Sequence, residues 1–339
     1  MSRGIIAPVR RVPVRLPAAA VLALLLVAGC GSSKEDSSTK SVKVGYGYGY
    51  GSNHAADKIA FAALGRAGMK ARIVELGGPS NAITGVDRGD LQLANLAMGQ
   101  VLEAIAQGAK LKIVLPVNSF GEFALVTRPG ITRASQLRGK TVLISTPHNQ
   151  TTSFIERILK QAGVPVSSVK FPALLDSSSR IVALQHGKAD AALLEQLDVE
   201  RLGLTGKHYT VVGRITDVQP PGPSSVWIMS DRFIDDHPDE TQTIVNALVD
   251  AYRSAYTAKG RAAILRESEA SDLKGQPELA KRIYAWYRAH GYWPRGGVFG
   301  KQAYDRLVAY WLSHEGMAPP APPYEKAWNT RFWSAALSR

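Results

Sequence analysis

The sequence predicts an α/β protein built as two lobes. Segments with strand periodicity and segments with helix periodicity alternate along residues 42–258, and this order favours parallel sheets covered by helices. The alternation restarts after Pro129, which indicates a second unit. The roughly 310 residues that follow the first 29 also exceed a typical single domain, so two lobes are expected.

The chain opens with the features of an export signal. Four arginines lie within residues 1–15, and the apolar run at 18–28 is shorter than the ~20 residues that a helix needs to span a bilayer. Small residues then lead to Cys30, the single cysteine. This order resembles a bacterial lipoprotein signal, which implies a signal peptide at 1–29, cleavage before Cys30 and a diacylglyceryl group on its thiol. A plain secretory signal with a chance cysteine, or a buried free cysteine, is the alternative.

Residues 30–41 are predicted to form a lipidated tether, because they are polar and have no apolar face to bury. The protein is therefore expected at the extracytoplasmic face of the cell membrane, held there by lipid. The formal net charge of +13 is dispersed along the chain, and it favours anionic lipids or small anions at most. No basic run or basic–aromatic motif occurs, so nucleic acid is not expected as a partner.

Strands and helices alternate in the predicted first lobe. The strand at 42–46 precedes a helix that Asn53 can cap and Gly68 can end. Helices are also expected after the second and third strands. The predicted strands cover residues 42–46, 71–76, 91–96 and 111–117.

The same order returns in the predicted second lobe, and a helical region closes the chain. The second-lobe strands are expected at 141–145, 169–171, 189–194 and 209–212. A strand at 226–229 precedes helices at 241–258, 278–290 and 301–314. The predicted domains are lobe 1 (first part) at 42–127, lobe 2 at 128–214, and lobe 1 (second part) with the C-terminal helices at 215–339.

Several segments, taken in order, carry a resemblance to a known family. They are Val-Lys-Val-Gly-Tyr at 42–46, Gly-Asp at 89–90, Leu-Arg-Gly-Lys-Thr-Val at 137–142 and the stretch 180–195. With the lipoprotein signal, they resemble the nitrate/sulfonate/taurine (NitT/TauT) solute-binding proteins of ATP-driven (ABC) importers. The same superfamily holds binders of the pyrimidine precursor of thiamine. The resemblance covers roughly residues 42–258.

The resemblance implies a periplasmic-binding-protein type II-like fold, with two α/β lobes joined by crossing strands near 122–128 and 212–217. It implies that a monomer captures a small organic solute between the lobes, either sulfonate-, nitrate- or taurine-like or a pyrimidine or other heterocycle. Closure of the lobes would present the loaded form to a membrane permease and its ATPase. The alternative is a lipoprotein sensor or interaction module that uses the same fold to contact a partner protein.

The candidate ligand-binding residues lie at or just after the carboxyl ends of predicted strands. The Gly-Tyr loop at 45–51 can bring backbone amides to a ligand and stack a tyrosine on it, and the helix start at 147–153 attracts anions. A flexible surface loop, a tight turn or a helix cap is the alternative for each. The residues are Tyr48, Tyr50, Ser52, Asn53, Ser80, Met98, Gly99, His148, Asn149, Thr151, Thr152 and Glu195.

The charge of the solute stays open at this stage. The candidate loops carry hydroxyls, amides, tyrosines and histidines but no arginine or lysine. Glu195 suits an amine or amidine group and would repel a bare oxyanion, so together with the tyrosines it favours an uncharged or zwitterionic planar compound. The family resemblance favours sulfonates instead.

No motif in the sequence indicates catalysis. The seven histidines are scattered and form no His-Glu-x-x-His zinc pattern, and the chain has neither a Gly-x-Ser-x-Gly elbow nor a phosphate loop. The sequence therefore predicts a binding protein rather than an enzyme, with no cofactor and no metal site.

Overall fold

The computed structural model describes residues 40–47, 50–147, 150–314 and 316–339, which form two sheets and thirteen α-helices. The strands are β1 Lys40–Tyr46, β2 Met69–Val74, β3 Leu93–Ala97, β4 Leu111–Pro116, β5 Phe123–Thr127, β6 Val142–Leu143, β7 Ala191–Glu195, β8 Thr210–Arg214 and β9 Ser225–Ser230. The helices are α1 Ala55–Arg66, α2 Pro79–Arg88, α3 Met98–Ala106, α4 Gln150–Gln161, α5 Ser177–Gln185, α6 Gln196–Gly203, α7 Asp231–Asp236, α8 Pro238–Ser254, α9 Ala258–Glu269, α10 Pro277–His290, α11 Lys301–His314, α12 Tyr324–Ala327 and α13 Arg331–Leu337. The predicted signal peptide, Cys30 and residues 31–39 lie outside the described residues.

The first sheet has the strand order β2-β1-β3-β9-β4. β1 runs parallel to β2 and β3, whereas β9 runs antiparallel to β3 and β4. The sequence predicted parallel strands, and the sheet is mixed because β9 enters it from the second lobe rather than through a crossover helix. Residues 93–96 of β3 are all buried, as expected of a central strand covered on both faces.

The second sheet has the order β6-β7-β5-β8, in which β7 is parallel to β6 and antiparallel to β5. Alternate residues of β7 point to opposite faces. Ala191 and Leu193 join a core with Phe154 and Leu159 of α4. Ala192 and Leu194 join a second core beneath α5 and α6. The predicted architecture of two α/β lobes is confirmed.

The chain passes between the sheets twice, at residues 117–122 and 215–224, which we call the linking segments. β5 pairs with β7 and β8 and so belongs to the second sheet, whereas the predicted first lobe ended at residue 127, with a crossing strand expected near 122–128. Five consecutive apolar or small residues indicate a strand but not the sheet that it joins, because pairing partners are distant in sequence.

The C-terminal helices pack on the first lobe and also reach the second. Trp311, Trp328 and Trp333 are buried in the first core. Arg282 of α10 forms an ion pair with Glu200 of α6, at 2.9 Å between nitrogen and oxygen. The C-terminal region therefore contacts both lobes.

The described residues contain neither a helix suited to span a membrane nor a side-chain cluster suited to hold a metal ion. None of the helices within them is both long and apolar enough to cross a bilayer. Within the same ranges, His, Cys, Asp and Glu side chains do not gather in threes as a metal ion would require.

Gly260 is a position where packing requires glycine. A Cβ atom there would lie 1.8 Å from the carbonyl oxygen of Ser254, so Gly260→Ala must displace the start of α9. We expect this change to lower the free energy of unfolding by about 1–3 kcal/mol, the scale of overpacking. Gly65→Ala in α1 is the matched control, because its Cβ would meet nothing within 4 Å. It should stabilise by about 0.5 kcal/mol. Urea unfolding of both variants measures the effects, and equal effects would contradict the packing argument.

Candidate functional site

Residues from both lobes meet where the linking segments pass between the sheets. His54 follows β1 in the first lobe, and Glu195 ends β7 in the second. Burial raises the pKa of Glu195 and a smaller electrostatic interaction with His54 opposes the rise, so the two side chains lie within electrostatic range of each other. We call this region the interlobe junction.

Aromatic rings at the end of β1 and in the loop after it pack together, and we call them the Tyr50–His54 wall. The Tyr50 ring lies 4.8 Å from that of Tyr46 and 5.7 Å from that of His54, with the latter pair stacked at 14°. The Nζ atom of Lys58 lies 5.1 Å from the Tyr50 ring centroid. The Tyr50 hydroxyl is buried and has no hydrogen-bond partner among the described residues. Tyr48 lies outside those residues.

A buried carboxylate supports this wall. Asp57 accepts hydrogen bonds from the hydroxyls of Tyr46 at 3.1 Å and Tyr252 at 2.9 Å. Its Oδ2 also lies 3.0 Å from Nδ1 of His54. The indole nitrogen of Trp227 donates to the Tyr252 hydroxyl at 2.8 Å. The network holds the ring of His54 through Nδ1.

Ser52 and Asn53, the two polar residues at the end of this loop, were both predicted to contact the ligand. The Ser52 hydroxyl donates to Asp272 at 3.2 Å, within the first lobe. Asn53 was expected to cap the first helix. Instead, a short 3-10 turn at Ser52–His54 precedes α1, and the helix has no side-chain cap. Asn53 is half-buried.

The candidate ligand-binding residues that follow β2 and β3 differ in how exposed they are. Ser80 is exposed at the start of α2 and Gly99 is half-buried in the first turn of α3. Met98 is fully buried in the first core, so its side chain presents no surface to a solute. Its backbone amide donates to the carbonyl of Ser224 at 2.9 Å, which ties α3 to the second linking segment.

The threonines at the start of α4 stabilise their own loop. The Thr151 hydroxyl lies 3.0 Å from that of Ser145, and the Thr152 hydroxyl donates to the carbonyl of Thr146 at 2.7 Å. Thr152 is 6% exposed whereas Thr151 is half-buried, so Thr151 is the more accessible of the two. His148 and Asn149 lie outside the described residues.

Glu195 is the carboxyl group of the second lobe at the junction. Burial raises its pKa, the nearby Asp198 charge raises it further, and Arg180 and His54 oppose the rise. Arg180 lies behind β7, where its guanidinium donates to the carbonyl of Leu193 at 2.6 Å. Glu195 forms no ion pair among the described residues, so its charge is only partly compensated.

Glu122 is a second carboxyl group at the junction, at the end of the first linking segment. The hydroxyls of Tyr287 and Tyr292 both donate to it, the latter at 3.3 Å. Burial and then the charge of Glu195 raise the pKa of Glu122 to about 8, although the two tyrosine hydrogen bonds lower it. Burial and the neighbouring Glu122 keep the pKa of both tyrosines far above the usual range, so both remain donors at neutral pH.

A pocket of about 240 Å³ opens beside Glu122. Both linking segments, two strands of the second sheet and α10 line it, so the second lobe and the C-terminal region share one cavity. The volume of the pocket is below the roughly 300–1,000 Å³ of most ligand pockets, so only a small solute would fit. Its lining residues are Phe120, Gly121, Glu122, Phe123, Arg214, Thr216, Trp286 and His290.

The structure adds residues that sequence reasoning missed. His54 and Asp57 stand three apart at a helix start, which is a detectable spacing. Glu122 directly precedes the apolar strand β5, so its position could also have been recognised in the sequence. Tyr287 and Tyr292 gave no signal, because aromatic residues at helical spacing are expected in a core.

Comparison with known proteins identifies a related family. A model of the family described as NMT1/THI5 like matches residues 64–261, more than half of the chain. Comparison with curated proteins gives no match.

Solved structures share the fold. A ligand-binding component of an ABC-type import system from Staphylococcus aureus, solved with zinc bound, has a TM-score of 0.69 at 13% identity, over 88% of this chain and 99% of that one. The periplasmic sulfonate-binding protein SsuA of a putative sulfonate ABC transporter from Methylobacillus flagellatus has a TM-score of 0.68 at 17% identity, over 89% and 94%. The alkanesulfonate-binding protein SsuA from Xanthomonas axonopodis, bound to MOPS, has 0.64 at 16%, over 86% and 99%. At these identities the likeness concerns the fold.

Proposed function

Since the chain belongs to the NMT1/THI5-like family, we propose that it is the solute-binding component of an ABC importer, anchored by lipid on Cys30 at the extracytoplasmic face of the cell membrane. One observation carries the proposal. Polar and aromatic groups from both lobes and from the C-terminal region converge at the interlobe junction, beside a pocket that both linking segments line.

The two-lobed arrangement supports a capture mechanism. Separation of the lobes would expose Glu195 on one side and the Tyr50–His54 wall on the other, and a solute bound to both would hold the lobes together. The proposed ligand contacts include Tyr50, Thr151 and Glu195, together with Ser80 and Gly99 at the rim. We also propose Tyr48, His148 and Asn149 as ligand contacts, on the basis of the sequence alone. A membrane permease and its ATPase would then receive the solute.

Thermal unfolding tests solute capture directly. We expect the protein lacking residues 1–29 to be stabilised by one class of small organic solutes, by about 2.7 kcal/mol at a concentration 100-fold above Kd. A panel of sulfonates, carboxylates, amines and pyrimidines covers the classes. Stabilisation by none of them, together with capture of a protein partner, would favour a sensor or interaction module instead. Separately, Cys30→Ala should move the full-length protein from the membrane fraction to the soluble fraction.

A further inference from the structure

The proposed function leaves the class of solute open, and the interlobe junction narrows it. We infer that the solute is a small organic cation, with a protonated amine, amidine or guanidine group that pairs with the carboxyl groups of Glu122 and Glu195. The inference rests on the proposed function, since it concerns the solute that the same site would capture.

Glu122 is held in a fixed position. Its two oxygens each accept a hydrogen bond from a different tyrosine, Tyr287 or Tyr292, and the two tyrosine rings stack at 4.1 Å with 19° between their planes. Asn118, which also borders Tyr292, accepts from the Ser224 amide at 2.9 Å and so joins the two linking segments. A carboxyl group held this way is oriented for a ligand and does not need to reorganise.

Arg180, whose charge acts on Glu195, is already engaged. Arg180 donates to three backbone carbonyls, those of Leu174, Leu175 and Leu193, at 2.6–2.7 Å. Arg282 is paired with Glu200. Neither Glu122 nor Glu195 takes part in an ion pair within the described ranges, so a cationic ligand would supply the missing partner.

The titratable and charged side chains around Glu122 come from α10, the residues just after it, β7 and β8. α10 and the residues after it provide Tyr287, His290 and Tyr292, and β7 provides Glu195. Arg214 at the end of β8 is the one guanidinium that lines the pocket. It donates to Oε1 of Gln196 at 2.6 Å and lies 5.4 Å from the Trp286 ring centroid, and the charges of Asp217 and Glu200 act on it. The positive charge of Arg214 is therefore partly balanced by Asp217 and Glu200 rather than by Glu122.

The pocket walls suit the body of such a solute. The rings of Phe120 and Trp286 stand edge to face, 5.9 Å apart, and His290 stacks on Trp286 at 4.3 Å. Aromatic faces attract cations through their quadrupole, as Arg214 already shows on Trp286. An anionic sulfonate group would instead approach two carboxyl groups, and each one that is ionised would repel it.

Binding of a cation at this pair would release a proton. Burial and the Glu195 charge place the pKa of Glu122 at about 8, so much of Glu122 is protonated at neutral pH. A bound cation favours the ionised form. Affinity should therefore rise as pH rises from 6 to 8, by up to tenfold per pH unit for one proton released, and level off above 8.

Isothermal titration calorimetry tests the inference with benzamidine and agmatine as cationic probes, which stay protonated from pH 6 to 9, and ethanesulfonate as the anionic probe. We expect a cationic probe to bind, with the pH dependence given above and with buffer-dependent heats that report proton release. Glu122→Gln and Glu195→Gln should each weaken binding at least tenfold. Glu278→Gln, which removes an exposed carboxylate of α10 that is paired with Lys281, should leave affinity unchanged.

Three other results would contradict the inference of a cationic solute at Glu122 and Glu195. Binding of ethanesulfonate but of neither cation, with affinity that falls as pH rises, would overturn the cationic solute and leave the solute-binding function intact. Binding of a cation that neither glutamine variant weakens would place the cation elsewhere and overturn the assignment. If neither charge class binds, and no member of the wider solute panel stabilises the fold, the proposed function fails along with the inference.

Discussion

Replacement of Asp57 by alanine is expected to lower the free energy of unfolding by about 3 kcal/mol or more, the scale of removing one partner from a buried hydrogen-bonded charge network. Asp57 is 1% exposed and faces three donor groups, from Tyr46, His54 and Tyr252. Removal of the carboxylate leaves these groups buried without an acceptor, and the Trp227–Tyr252 hydrogen bond loses its orientation.

Asp250→Ala is the matched control for this change. Asp250 lies on α8 and is paired with Arg339, with side chains 59% and 47% exposed, so its removal should cost under 1 kcal/mol. Chemical denaturation of both variants at pH 7 gives the comparison. A loss of less than 1 kcal/mol for Asp57→Ala would mean that the network does not support the fold.

The stability of the solute-free protein should fall as pH rises from about 5 to 8, and Glu122 should account for part of the fall. The pKa of Glu122 is about 8 in the folded state, against 4.5 for an ordinary glutamate. A carboxyl group with a raised folded pKa stabilises the fold fully below its unfolded pKa. That contribution is lost as pH rises through the folded pKa, at up to about 1.4 kcal/mol per pH unit.

Glu122→Gln isolates this contribution, because glutamine keeps polar contacts to Tyr287 and Tyr292 but does not titrate. The free energy of unfolding, measured from pH 5 to 9, should decline more steeply in the wild type than in the variant, and the two curves should run parallel above pH 8. The exposed Glu278→Gln should follow the wild type. A Glu122→Gln curve that parallels the wild type between pH 5 and 8 would show that Glu122 titrates normally.

Much of the fold was predictable because local patterns decide it. The strands at 42–46 and 189–194 carry a buried apolar pattern, and the glycines that end α2 and α10 adopt the left-handed conformation. The family resemblance noted in the sequence is confirmed by the match to the NMT1/THI5-like model. The direction of β9 and the sheet that contains β5 were not predictable, since strand pairing depends on contacts remote in sequence.

The candidate site was less predictable than the fold. Glu195 was proposed because it ends an apolar strand, and Tyr50 because it lies in a glycine-rich loop; both stay predictions. Met98 was placed in the site by the same rule, but its side chain turns into the core where α3 begins. Glu122, Tyr287 and Tyr292 meet only after the chain has crossed between the lobes and returned through α10, so no local spacing reveals them.

The contacts of the C-terminal helices with the second lobe bear on how tightly any solute is held. The Arg282–Glu200 ion pair and the Arg214–Trp286 contact join the lobes on one side. On the other, the Arg157 guanidinium of α4 lies 5.1 Å from the Tyr310 ring centroid of α11. Opening the lobes would break all three, so they add to the free-energy difference between closed and open conformers. Apparent affinity depends on the fraction of molecules in the binding-competent conformer. Proteins of this fold with identical solute contacts can therefore differ in apparent affinity through residues that never touch the solute.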